Sequence, residues 1–174
     1  VTAARDSGVV AWHANTLSHR NALFNTQTQQ LIGAYALARS VYAADLDRDG
    51  ALDAISVSDG EVAWHRSNGA APPRFTSYLI STSLNGGRYA GAADLDKDGD
   101  DDIIVASHDD NRILWYENVP GPGNPPRTFA GHTVTTAARG VRSALAADLD
   151  GDGDLDIYAA TDEDNTIAWY ENRL

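Results

Sequence analysis

Residues 143–172 read SALAADLDGDGDLDIYAATDEDNTIAWYEN, and two earlier segments match this stretch in register. They are VYAADLDRDGALDAISVSDGEVAWHRSNG from Val41 and YAGAADLDKDGDDDIIVASHDDNRILWYEN from Tyr89. The leading Asp of the shared motif recurs at 45, 94 and 148, so successive copies lie 49 and 54 residues apart. A period of about 50 residues marks architectures in which each repeat is one supersecondary unit that buries its faces against its neighbours. The bulky aromatics keep the same spacing. All four Trp (Trp12, Trp64, Trp115, Trp169) take one repeat position, and all three Phe (Phe24, Phe75, Phe129) take another.

Between these markers the pattern is β. IIVAS from Ile103, RILWYE from Arg112 and DIYAAT from Asp156 are short, rich in β-branched and aromatic residues, and bounded by Gly, Asn and Asp. Each repeat reads as four strands, as in SVYAAD, DAISVS, EVAWHR and RFTSYLIS, and four short antiparallel strands make a propeller blade. The Pro-rich stretches SNGAAPPR and NVPGPGNPPR fall between the third and fourth strands and read as loops. Trp12 has no Asp motif before it. Aligning it with Trp64 without gaps sets Val1 against Asp53, so residues 1–39 read as a partial repeat. The expected organisation is an all-β chain, a single β-propeller region over 1–174 with about three and a half repeats. These are the partial repeat 1–39, repeats 40–87 and 88–140, and a repeat 141–174 without its last strand, 14 strands in total.

Composition narrows the function. The chain carries 25 acidic and 13 basic residues, a net charge of −12, which disfavours nucleic acid and anionic membrane and makes cations the natural counter-ligands. Only four of the acids are Glu; the rest are Asp, whose short side chain suits oxygen ligands in tight turns. There is no Cys, which removes disulfides and thiolate metal sites. No apolar run reaches the roughly 18 residues a membrane span needs, so no membrane insertion is expected.

The acids concentrate in the repeated loop. Its members are Asp45, Asp47, Asp49, Gly50 and Asp53; then Asp94, Asp96, Asp98, Gly99 and Asp102; then Asp148, Asp150, Asp152, Gly153 and Asp156. Acids at positions 1, 3 and 5 can turn their oxygens inward, Gly at 6 permits the sharp turn, and position 7 (Ala51, Asp100, Asp154) can add a backbone carbonyl. The Asp at position 9 can supply two more oxygens, which completes the six to eight that Ca²⁺ accepts at about 2.3–2.6 Å. Four carboxylates within nine residues, three times over, repel one another unless a cation compensates, so three Ca²⁺ sites are expected. An EF-hand is excluded because position 12 is Ser56, Val105 or Ala159 rather than Glu, and strands follow the loop.

With DLDxDGxxDI followed by IAWYEN, the chain resembles the FG-GAP and VCBS repeats of integrin-α-like propellers and of many secreted or surface bacterial proteins. The resemblance spans residues 40–174, and 1–39 by its later strands alone. It implies a propeller with Ca²⁺ between the first and second strands of each blade, serving adhesion, ligand display or assembly outside the cell or at its surface. The FG-GAP dipeptides themselves are missing, as is the Asp motif of the first repeat. The expected partners are calcium, a protein or glycan ligand, and either further copies of the chain or the remainder of a larger propeller. A lectin-like carbohydrate binder is the alternative function. A Trp repeated once per blade is expected to be core between blades, and His13 and His65 stand where Tyr116 and Tyr170 do, as aromatic fillers. His19, His108 and His132 form no recognisable cluster, no nucleophile elbow or paired Glu is present, and no enzyme activity is expected.

Overall fold

The computed structural model describes residues 2–4, 9–12, 30–34 and 36–174. They contain 14 strands in four antiparallel sheets. The first sheet joins β1 (Thr2–Ala4), β2 (Val9–Trp12) and β3 (Gln30–Ala34). The second runs in order through β4 (Ser40–Ala44), β5 (Asp53–Val57), β6 (Val62–Ser67) and β7 (Phe75–Ser81). The third does the same with β8 (Gly87–Ala93), β9 (Asp102–Ser107), β10 (Arg112–Pro120) and β11 (Arg127–Thr135). The last holds β12 (Val141–Ala147), β13 (Asp156–Thr161) and β14 (Ile167–Tyr170). This is the expected all-β architecture of four-stranded, propeller-like blades. Among the described residues no helix is long and apolar enough to cross a membrane.

The sheets stack face to face, which explains a break in strand alternation. β5 and β9, each second in its sheet, are buried at every position, because both of their faces meet a neighbour. Leu46, Ile55, Val57, Val62 and Trp64 on the second sheet pack against Ala90, Ile103, Val105, Leu114 and Tyr116 on the third. Leu95, Ile104, Ala106 and Ile113 on the third pack in the same way against Ala144, Ile157 and Ala159 on the fourth. Burying a Leu, Ile or Val side chain contributes about 1.5–3 kcal/mol, so these two interfaces hold the stack together. The outermost strands carry polar residues, Thr, Ser and Tyr in β7 and Arg, Thr and His in β11, and much of each is exposed.

Two details depart from the sequence reading. Val57 faces Val62 across the β5–β6 turn, and Ala4 faces Val9 across a connection of the same length. Gapless alignment on Trp12 would instead set Ala4 against Ala11; the β1–β2 turn ends one place further from the Trp, as in the third sheet where Ser107 faces Arg112, and this shifts the pairing of β1 by two residues. The β2–β3 pairing keeps the repeat: its register shift follows Val10, as those of the next two sheets follow Val62 and Ile113. The Trp series is also not uniformly core. Trp64 is fully buried, Trp115 is half-buried, and Trp169 remains 49% exposed. Each is shielded by the sheet that follows, and no described sheet follows the last. Val1, His13, His19 and Phe24 lie outside the described residues.

Candidate metal centres

Each Asp loop connects the first and second strands of its sheet. Gly50, Gly99 and Gly153 at position 6 have φ of 88°, 91° and 94°, in the left-handed region where a side chain would be strained. The turn has a second left-handed residue that the sequence does not announce. Position 4 is Arg48 (φ 58°), Lys97 (φ 61°) or Gly151 (φ 82°), and the first two bear that conformation with a full side chain.

These turns bring the acids at positions 1, 3 and 5 together. In each of the sets Asp45–Asp47–Asp49, Asp94–Asp96–Asp98 and Asp148–Asp150–Asp152, one oxygen per residue lies within 4.8 Å of the others. Loop N–H groups hold the carboxylates in place. Asp45 accepts from Asp49 (3.1 Å) and Gly50 (2.9 Å), Asp49 from Ala51 (2.9 Å), Asp98 from Asp100 (2.8 Å) and Asp148 from Gly151 (2.7 Å). Asp47 Oδ1 and Asp94 Oδ1 are buried with no hydrogen-bond partner. An orphaned, inward-facing carboxylate oxygen in a cluster of like charges is the geometry a hard cation fits.

Position 9 stands apart from the three grouped acids. Asp53 accepts from the N–H groups of Leu46 (3.3 Å) and Ser67 (2.7 Å) and from the Trp64 indole (2.8 Å). Asp102 accepts from Leu95 (3.1 Å) and Asn118 (2.9 Å), and Asp156 from Leu149 (3.1 Å) and Asn172 (2.9 Å). Both oxygens of the position-9 carboxylate therefore clamp the start of the loop to the end of the third strand. Burial pushes the Asp53 and Asp102 carboxyls up to about 6; the N–H donors pull the other way and neighbouring Asp charges add to the rise. Asp156 moves oppositely. The Asn172 N–H is the largest influence and holds it below the usual range, since no described sheet covers the far side of its loop.

The position-7 side chains serve the sheets. Asp100 is buried and gripped by both Nη atoms of Arg127, with Nη2 at 3.0 Å, and Arg48 Nε of the preceding loop lies 3.0 Å from it. Asp154 takes Lys97 of its preceding loop and the N–H of Leu174 (3.0 Å). Position 4 of one loop thus reaches the position-7 acid of the next at both junctions. Ala51 carries no such acid.

The second and third residues after the Trp form a second set, to which the sequence reading assigned no role. Asn118 donates its amide to the carbonyls of Leu46 (2.8 Å) and Asp101 (3.0 Å), and Asn172 does so to Leu95 (2.8 Å) and Leu155 (3.2 Å), tying each sheet to the loop of its predecessor. Arg66 donates to Asp47 Oδ2 and to Asp49 Oδ2 (3.3 Å), whereas the equivalent residues in the other repeats are Glu117 and Glu171. The signal for both sets was the WHRS/WYEN alternation itself. His108, expected to stand alone, sits between Asp109 (2.5 Å) and Asp162 (3.3 Å).

The model of the FG-GAP-like repeat matches residues 49–105 and 94–159, more than half of the chain, and both matches contain the Asp-loop and strand pattern just described. The chain belongs to the FG-GAP-like repeat family. No curated protein matches it. As an FG-GAP-like repeat protein it has the blade architecture of its family, with three acidic loops able to hold metal ions.

Proposed function

We propose that this FG-GAP-like repeat protein binds three Ca²⁺, one per Asp loop, and works as a calcium-stabilised propeller module in interaction, adhesion or assembly at the cell surface or outside the cell. The observation that carries the reading is the threefold convergence of position 1, 3 and 5 carboxylates, joined in the first two loops by a buried oxygen that has no internal partner. Position 7 adds its carbonyl, from Ala51, Asp100 or Asp154. The position-9 acid holds the loop closed and lies ready as a further oxygen donor. Calcium supplies the positive charge that lets these carboxylates sit together ionised. It is favoured over Mg²⁺ because the loops offer many carboxylates in a flexible arrangement, where Mg²⁺ prefers strict octahedral geometry with retained waters.

Because each loop joins two strands of one sheet, calcium binding is partly folding energy. At a free calcium of 100 times Kd, one site adds about 2.7 kcal/mol. Thermal unfolding in calcium and in chelator tests the proposal: a melting temperature raised by calcium and unmoved by equal magnesium is expected, and identical transitions would refute it. The carbohydrate reading has less support. It needs a repeated aromatic platform, yet Trp64 is buried and Trp115 is covered by His132, stacked at 4.4 Å.

A further inference from the structure

Successive acidic loops are joined by two polar ties, and the same two recur at both junctions. In the first, position 4 of one loop reaches position 7 of the next: Arg48 Nε lies 3.0 Å from Asp100, and Lys97 pairs with Asp154. In the second, one Asn holds two loops at once. Asn118 gives its N–H to the position-9 acid of its own sheet, Asp102 (2.9 Å), and its side-chain amide to the position-2 carbonyl of the preceding loop, Leu46 (2.8 Å). Asn172 does the same with Asp156 (2.9 Å) and Leu95 (2.8 Å). The position-7 residues pass the contact inward, since the N–H groups of Asp100 and Asp154 hold the position-5 acids Asp98 (2.8 Å) and Asp152 (2.9 Å).

Given calcium as the ligand of these loops, we infer that the three sites fill cooperatively, each loaded loop seating the next through its position-4 cation, Arg48 at the first junction and Lys97 at the second. Both cations reach forward from a left-handed backbone, φ 58° and 61°, that a residue with a side chain keeps only where its surroundings hold it. In a loop without a bound ion the carboxylates repel one another and oppose that tight turn. The turn that gathers the acids of one loop is therefore the turn that aims its cation at the next. Ordering one loop leaves less to be ordered in its neighbour, which is positive coupling without any large movement. Filling one loop also lowers the negative potential at the next, an opposing effect that physiological salt screens over about 8 Å. Both cations are more than half exposed, which sets the coupling at the low end of the usual range, about fivefold at each junction.

Calcium titration of the chelator-stripped full chain in physiological salt, followed by the amide resonances of Gly50, Gly99 and Gly153, reads the loops one by one. Asp49→Ala, which removes the first site, should raise the calcium Kd read at Gly99 about fivefold and that at Gly153 by less. Arg48→Gly copies Gly151, suits the left-handed turn and removes only the reaching cation. In that background most of the shift at Gly99 should vanish, as a double-mutant cycle requires of a coupling carried by Arg48. Asp98→Ala and Lys97→Gly should behave alike at Gly153. A Gly99 curve that Asp49→Ala leaves unmoved or tightens would overturn the inference. So would a shift that keeps its full size without Arg48. Loops that fill independently sink the coupling alone, whereas glycine signals that ignore calcium sink the calcium reading and the coupling with it.

Discussion

The second and third sheets carry the same Asp loop on different supports, and the differences come in matched sets. In the second, His65 lies buried between Ser56 and Ser77 (2.8 Å each); in the third, Tyr116 takes its place opposite Gly131, where an added Cβ would come within 3.3 Å of the ring. The third sheet pairs Asp100 with Arg127, whereas the second has Ala51 at the acid's position and Pro73 at the arginine's. Arg66 stands over the first loop, and Glu117 near the second. The three loops keep their acids at positions 1, 3, 5 and 9, while supporting residues change only together with their contacts. This is what is expected if the loop's chemistry is fixed and its packing is free to vary in compensated pairs.

The largest expected effect comes from breaking one such pair. Asp100→Ala leaves Arg127 buried without its carboxylate and should cost about 3–5 kcal/mol in chemical denaturation, because an uncompensated buried charge outweighs any lost attraction. Ala51→Asp, lacking an arginine partner, should gain nothing. A loss under about 1 kcal/mol for Asp100→Ala would show that the pair does not support the third sheet.

Exchanging the His set sharpens the comparison. His65→Tyr alone should destabilise by about 1–3 kcal/mol through overpacking against Ser77, and adding Ser77→Gly should relieve most of it. The exchange also changes the pH profile. Burial lowers the His65 pKa from 6.5 to about 4, so the folded state holds it neutral; that stability is complete above 6.5 and is lost as pH falls from there toward 4. Wild type should lose up to about 3 kcal/mol relative to the double variant over this window. Asp53 and Asp102, raised to about 6, act in the opposite sense, since their contribution is lost as pH rises through 6 in calcium-free protein. They are common to both proteins and cancel in the difference. Parallel pH profiles for the two proteins would contradict the assignment.

Smaller effects belong to the loops. Arg66→Glu, which copies Glu117 and Glu171, should tighten calcium at the first loop about tenfold by removing an internal competitor and adding a charge. Arg48→Ala removes a mostly exposed cation from Asp100 and should cost no more than about 1 kcal/mol.

How far sequence reaches follows from the range of each interaction. The strands, the sheets and the grouping of Asp45, Asp47 and Asp49 are local, and spacing alone exposes them. The burial of Trp64 against the exposure of Trp169 depends on whether another sheet follows, which no residue near the Trp encodes. The Arg48–Asp100 and Asn118–Leu46 ties join residues about 50 to 70 positions apart, so neither motif points to the other. The position-9 acids read as metal ligands in sequence because they complete the count; their clamp role emerges only when the ends of the third strands fold back onto them.

Calorimetric titration of calcium into chelator-stripped protein tests the central claim most directly. The account predicts three sites, with Kd near 10⁻⁴–10⁻³ M as in extracellular modules, the loop beneath Arg66 being the weakest. Asp49→Ala, Asp98→Ala and Asp152→Ala should each remove one site. No heat of binding, or a stoichiometry unchanged by those substitutions, would contradict it.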